Sequence, residues 1–224
     1  MQYNWNFESV FAYWDVLAIG LVGTVKLFAL TCVLGLGLGL FVGMMRYASK
    51  PWIRYPSMLF VEVFRNTPVL VQIIWFFFAL PVVLGVEIGA FTAAALGITL
   101  NTAAFSAEVF RGGIQSIERE QWEAGRAIGM NYNQTMRRII LPQALKRMLP
   151  PLTSRGIEVF KMSTLASVVA YGETLHQAKM IASYEFNPIE TYTVVALLFF
   201  FILIPMVQLT YVLERRFGKS DLEN

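Results

Sequence analysis

The chain has 224 residues, 56% hydrophobic and only 15% charged, with a mean hydropathy of +0.55 and a net charge of +3. A soluble domain carries about 25% charged residues, so this composition excludes an ordinary water-soluble fold and points to an integral membrane protein. The basic balance follows from where loop charges fall rather than from a nucleic-acid surface, and the single cysteine, Cys32 in an apolar run, excludes an intrachain disulfide.

Residues 1–16 interleave Tyr3, Trp5, Phe7, Phe11, Tyr13 and Trp14 with Asn and acids. Trp and Tyr favour the headgroup level, so this segment is expected at the membrane surface. Residues 1–8 lack a basic n-region, and no cleavable signal peptide is expected. The first span is predicted over Leu17 to Met45, with Lys26 free to snorkel outward. Gly35, Gly39 and Gly43 recur every four residues inside it and form a face that another helix can approach closely. The run G-L-G-L-G-L does not fit G-x-G-x-x-G and follows no soluble strand, so it reads as helix packing.

After Arg46, Lys50, Pro51 and Arg54, a second span is predicted from Ser57 to Leu84, bent near Thr67-Pro68. Gly85 to Gly89 makes a turn, and Ala90 to Phe110 forms the third span. A polar, helix-prone stretch, residues 117–142, separates it from a fourth span at Pro150 to Tyr171, which contains Glu158 and Lys161. A polar loop with local helix follows from Gly172 to Pro188. The fifth span is Thr191 to Leu213, and residues 214–224 form a polar tail. The membrane domain thus covers residues 17–213. Fourteen of the eighteen Lys and Arg residues fall in 46–56, 111–155 and the tail. The positive-inside rule then places the N-terminus outside and the 117–142 segment and C-terminus in the cytoplasm.

No catalytic or metal site is legible. His176 and Cys32 are far apart, and neither a P-loop nor a G-x-S-x-G elbow occurs. What recurs is an acid–x–x–base tetrapeptide: Glu62/Arg65, Glu108/Arg111 and Glu158/Lys161. Residues at i, i+3 share a helix face, so each pair can neutralise itself, and ionisable groups inside a span mark an ion or solute path. In the polar segment, Ala124 and Gly125 remove bulk where a short helix must sit against another protein. Gly129 permits the chain to turn out of that helix, and Pro142 suits the first turn of the next one.

The set Glu123-Ala124-Gly125, Gly129 and Ile140-Leu141-Pro142 resembles the EAA coupling motif of ABC importer permeases. Phe64-Arg65-Asn66-Thr67-Pro68 with Gln72, Arg111 to Ile117, Leu141-Pro142-Gln143-Ala144 and Lys161 to Leu165 resemble elements of the polar amino acid permeases. The stretch Pro150 to Ala178 is most similar to glutamate/aspartate permeases. Departures are Gly125 for Ala, Asn66 for Gly, and Glu120 for a Gly; Glu120 favours helix and should move the start of the short helix ahead of it.

The resemblance implies an all-α integral membrane protein of the type I ABC importer permease fold, with about five transmembrane helices and a cytoplasmic coupling helix. It implies a multi-pass protein of the bacterial inner membrane that hydrolyses nothing itself. Two ATPase subunits carrying ATP and Mg, a second permease subunit and an external solute-binding protein would be its partners, and a polar, acidic amino acid its cargo. Glu123, Ala124, Gly125, Gly129, Leu141 and Pro142 would couple to the ATPase. Glu62, Arg65, Thr67, Gln72, Glu158, Lys161, Ser163 and Thr164 are candidates to line the path. The alternatives are an ion-coupled secondary transporter and a membrane scaffold that only recruits a partner.

Overall fold

The computed structural model of the protein describes residues 4–218. In chain order the helices are α1 (Phe7–Phe11), α2 (Trp14–Tyr47), α3 (Pro51–Asn66), α4 (Val69–Leu84), α5 (Ala90–Gln115), α6 (Arg119–Ala127), α7 (132–162), α8 (Thr174–Glu185) and α9 (Pro188–Gly218). A 3-10 segment, Ser163–Val169, joins α7 to the α8 region. Helices α2, α5 and α9 are each long and apolar enough to cross a bilayer, and α3 and α4 pass the same test only when taken together across their 102° bend.

Two expected boundaries shift. The fourth span was expected to start at Pro150. Instead helix is continuous from Tyr132, through Pro142, Pro150 and Pro151, to Met162. Proline removes one helical hydrogen bond and pushes on the carbonyl four residues back. A five-residue π segment, Met136–Ile140, ends two residues before Pro142 and widens the helix there. The same device recurs in α4, where the π segment Trp75–Ala79 ends two residues before Pro81. The polar tail expected at 214–224 begins instead as the last turns of α9, while 219–224 lie outside the described residues.

α5 is the hub. Ala93, Ala94, Gly97, Ala103, Ala104 and Ala107 are buried on it, so four neighbouring helices reach its backbone. α2 packs along it through the predicted glycine face. A methyl group added at Gly35 would lie 2.6 Å from Thr102 Cγ2, and one at Gly39 2.6 Å from Ser106 Cβ. Leu27, Ile73, Ile98 and Val159 close the central cluster from α2, α4, α5 and α7. Gly39→Leu is therefore expected to separate α2 from α5 and remove the protein from the monodisperse detergent-extracted fraction. Gly37→Leu, where nothing lies within 4 Å, leaves that fraction intact. Size-exclusion chromatography of the two variants checks this.

The N-terminal segment was expected on the membrane surface. Its described part is clasped by α8 and α9. Asn6 N–H donates to Glu190 Oε1 (3.0 Å), Asn187 Nδ2 donates to Ser9 Oγ (2.6 Å), and Val10 packs with Ile181 and Val194. Met1 to Tyr3 lie outside the described residues.

The polar loop after 172 is mostly α8, capped by the fully buried Glu173, whose oxygens accept from Leu175 N–H (2.9 Å) and His176 N–H (2.8 Å). Burial pushes this carboxyl up to about 7 from 4.5. An acid whose folded pKa is raised loses stability as pH climbs from the unfolded value to the folded one, then levels off. Thermal stability in detergent should thus fall between pH 5 and 7 by at most roughly 3 kcal/mol. Glu173→Gln should flatten that dependence, which a thermal unfolding series at pH 5, 6, 7 and 8 reads directly.

Candidate functional site

The short polar helix forms, and it starts at Arg119, ahead of Glu120, as the Glu at that position predicts. Its C-terminus is a Schellman turn: Met130 N–H donates to Gly125 O (3.0 Å) and Gly129 N–H to Arg126 O (3.0 Å). Gly129 has φ +77°, a left-handed conformation that costs a side-chain-bearing residue about 1–2 kcal/mol. Glu123 and Ala124 face outward, with Glu123 paired to Arg119 at 3.0 Å. Gly125 was expected to make room for another protein. It instead faces its own chain: a methyl group there would lie 2.7 Å from Thr135 Cγ2.

α6 is tied to α7 three ways. Gly125 seats on Thr135, Trp122 stacks on Tyr132 with ring centroids 5.6 Å apart, and Gln143 Nε2 donates to Gln121 Oε1 (3.1 Å). Trp122 also packs against the cluster of Phe110, Ile117, Ile140, Ala144 and Met148. Leu141 and Pro142 lie within the continuous α7 rather than at a helix start.

At its other end α7 carries a chain of polar contacts. Arg155 is 5% exposed and donates through Nη2 to Asn101 Oδ1 (2.6 Å) and through Nη1 to Glu158 Oε2 (2.7 Å). Asn101 Nδ2 donates to Phe64 O (2.8 Å), and Gln72 Nε2 donates to Phe64 O (3.1 Å), Thr67 O (3.1 Å) and Thr67 Oγ1 (2.6 Å). Pro68 frees these carbonyls by breaking the helix, and α3 and α4 meet at 102° there. Gln72 and Asn101 satisfy them, so the bend is clamped by side-chain amides. The Phe105 ring takes the guanidinium carbons of Arg155 at 4.4 Å and Arg65 at 5.3 Å. A cavity of about 390 Å³ opens beside Phe105, Arg155, Glu158 and Ser154.

Of the three acid–x–x–base pairs, one closes on itself. Arg111 Nη2 sits 2.7 Å from Glu108, and Glu108 also meets Arg46 from α2 and Arg65 from α3 at 3.9 Å. Glu62 instead accepts from Asn66 Nδ2 (2.8 Å), and Glu158 pairs backward with Arg155 rather than forward with Lys161. Lys161 is exposed. Ser163 Oγ donates to Phe160 O (2.6 Å) and Thr164 Oγ1 to Lys161 O (2.8 Å), so both hydroxyls cap the end of α7. The structure therefore gathers Arg65, Thr67, Gln72 and Glu158 around Asn101, Phe105 and Arg155, and leaves Lys161, Ser163 and Thr164 apart from that chain of contacts.

The family profile described as "Binding-protein-dependent transport system inner membrane component" matches residues 35–219, a stretch that holds the bend, the Arg155 contacts and α6. The chain belongs to this family. Among other binding-protein-dependent membrane components, it is 36% identical over 198 residues to a probable amino-acid ABC transporter permease of Bacillus subtilis (strain 168), covering 88% of this chain and 85% of the relative. It is 35% identical over 220 residues to the glutamine transport system permease of Escherichia coli (strain K12), covering 96% of each. A chain from a crystal structure of an amino acid ABC transporter with histidines superimposes with a TM-score of 0.90 at 33% identity, over 96% of this chain and all of that one. The type I importer permease architecture expected from the resemblance is thus the observed one.

Asn101, Phe105 and Arg155 escaped the sequence reading. Arg155 was counted with the cytoplasmic charges of 111–155, although it falls inside the expected fourth span, Pro150 to Tyr171. Its spacing from Glu158, three residues, is the same helix-face spacing that singled out the other pairs.

Proposed function

We propose that this family member is the permease subunit of an ATP-driven importer of polar amino acids, with α6 as its coupling helix and the Arg155 region as part of its path. The observation that carries this reading is the continuity of α7. Its 31 residues make a rod of about 46 Å. One end holds α6 through Thr135, Tyr132 and Gln143; the other holds Arg155 and Glu158 against the α3–α4 bend. A push on α6 therefore reaches the charged groups without crossing a loop. The π segment at Met136–Ile140 lies within the stretch of α7 that holds α6, with Tyr132 and Thr135 before it and Gln143 after it.

On this reading two ATPase subunits, which hold ATP and Mg, dock on the outward Glu123–Ala124 face of α6 in a pair of permeases. The basic α6 side is cytoplasmic, the N-terminus external, and a solute-binding protein delivers cargo from outside the inner membrane. Arg155 and Arg65 meet a carboxylate and Glu158 an ammonium group, so the Arg155–Glu158 pair of the empty path is exchanged for the two charges of an amino acid. The resemblance of the stretch Pro150 to Ala178 to glutamate/aspartate permeases favours an acidic side chain.

The name of the glutamine permease relative favours a neutral polar side chain as the second reading. Uptake of labelled glutamate into proteoliposomes holding the permease, its ATPase and the delivery protein separates these. ATP-dependent uptake competed by aspartate over glutamine supports the acidic cargo, and competition by glutamine alone replaces it. Uptake driven by a proton or sodium gradient without ATP would overturn the importer reading itself.

A further inference from the structure

We infer that the basic end of the bundle holds an anionic phospholipid between α2, α6 and α7, its phosphate at Arg119 and Arg126 and one acyl chain beneath Tyr47 and Tyr132. Two cavities adjoin there. The outer one, about 380 Å³, is lined by Tyr47, Arg119, Trp122, Arg126, Tyr132 and Thr135. The inner one, about 410 Å³, is apolar and lined along its length by Leu40, Met44, Phe110, Met136, Leu145 and Met148. Tyr47 and Tyr132 border both, so the two form one amphipathic space with a polar mouth and a dry body.

The direction of this space fits a lipid. Tyr47, Met44 and Leu40 lie at i, i−3 and i−7 on one face of α2, so the dry part runs about 10 Å from the basic helix end toward the bilayer centre. Leu40 and Met44 are exposed and continue the apolar outer surface of α2 at Phe41, which leaves the cavity open sideways. The mouth combines two arginines with tyrosine and tryptophan, the composition of a headgroup layer. Basic pockets between helices on the cytoplasmic side attract anionic headgroups, and that side is where the loop arginines of this chain collect. Among the described residues Arg126 makes no ion pair, and Arg119 has only the exposed Glu123. A polar amino acid finds no charged group in the inner cavity, and a soluble protein docking on Ala124 approaches a face about 140° around α6 from Arg119. The lipid would brace the body-facing side of α6 and so make coupling depend on anionic lipid.

The test is native mass spectrometry of the assembled transporter, purified in detergent and titrated with phosphatidylglycerol or phosphatidylcholine. Phosphatidylglycerol is expected to be retained at least fivefold better. Retention should drop to the phosphatidylcholine level in Arg119→Gln/Arg126→Gln and in Leu145→Trp, which fills the cavity without changing charge. Arg137→Gln/Arg138→Gln, which removes equal charge outside the cavity, should retain the lipid. Equal retention of both lipids, equal loss in the Arg137/Arg138 control, or undiminished retention in Leu145→Trp overturns the site. So does a photocrosslink from Met44→p-benzoylphenylalanine that lands on a protein chain instead of phosphatidylglycerol in membranes.

Discussion

Arg155→Ala is expected to cut amino acid uptake roughly a hundredfold while the protein still inserts, since two charge-assisted hydrogen bonds, net about 3 kcal/mol, are lost at once. Asn101 Oδ1 loses its buried donor, and the Phe105 ring loses the nearer of the two cations on it. Arg155→Lys should rescue little, because an ammonium is a point donor and cannot bridge Asn101 and Glu158 as a guanidinium fork does. If Arg155 meets the substrate carboxylate, the loss appears mainly as a raised KM for uptake. If it only clamps the bend at Pro68, the loss appears in thermal stability with KM unchanged. Transport kinetics and unfolding midpoints on the same preparation read the two apart.

Gly125→Leu should uncouple the transporter. The added side chain meets Thr135 within 3 Å and must lift α6 off α7, which breaks the seat that makes the two helices one body. ATP hydrolysis by the assembled complex is expected to continue while uptake per ATP falls roughly tenfold, the effect of about 1.4 kcal/mol in the coupled state. The pairing can be checked in reverse. Thr135→Ala shortens the opposing side chain, so Gly125→Ala in that background should recover coupling that Gly125→Ala alone loses. An unchanged uptake-to-hydrolysis ratio in Gly125→Leu would mean that force enters the membrane elsewhere. Gly129→Trp tests the same element through its exit turn, because φ +77° suits glycine and not a bulky side chain.

Much of this arrangement was legible from residue spacing. The glycine face of α2, the bend at Thr67-Pro68 and the turn at Gly129 each follow from a local rule about backbone conformation or helix approach. Those rules need no knowledge of what lies opposite. The Gly85 turn, with φ +67°, was legible for the same reason.

Readings that depended on a partner across the fold fared worse. Glu158 shares a helix face with both Arg155 and Lys161, and spacing alone cannot choose between residues three before and three after it. Burial of Arg155 against Asn101 and Phe105 decides it, and that is tertiary information. Prolines misled for a related reason. Pro142 and Pro150 read as helix boundaries, yet a π turn and packing on α5 and α9 carry α7 through them. Gly125 was expected to make room for another protein, and only the fold shows that its close neighbour is Thr135 of the same chain.

The account stands on α6 passing ATP-driven motion into α7, and one measurement reaches it directly. In a Cys32→Ala background, Ala124→Cys on the outward face of α6 is crosslinked to the ATPase in the assembled transporter, and uptake is followed with and without reductant. The account predicts a crosslink to the ATPase that abolishes ATP-driven uptake and is fully reversed by reductant. No crosslink to the ATPase, or one that leaves uptake unchanged, would contradict it.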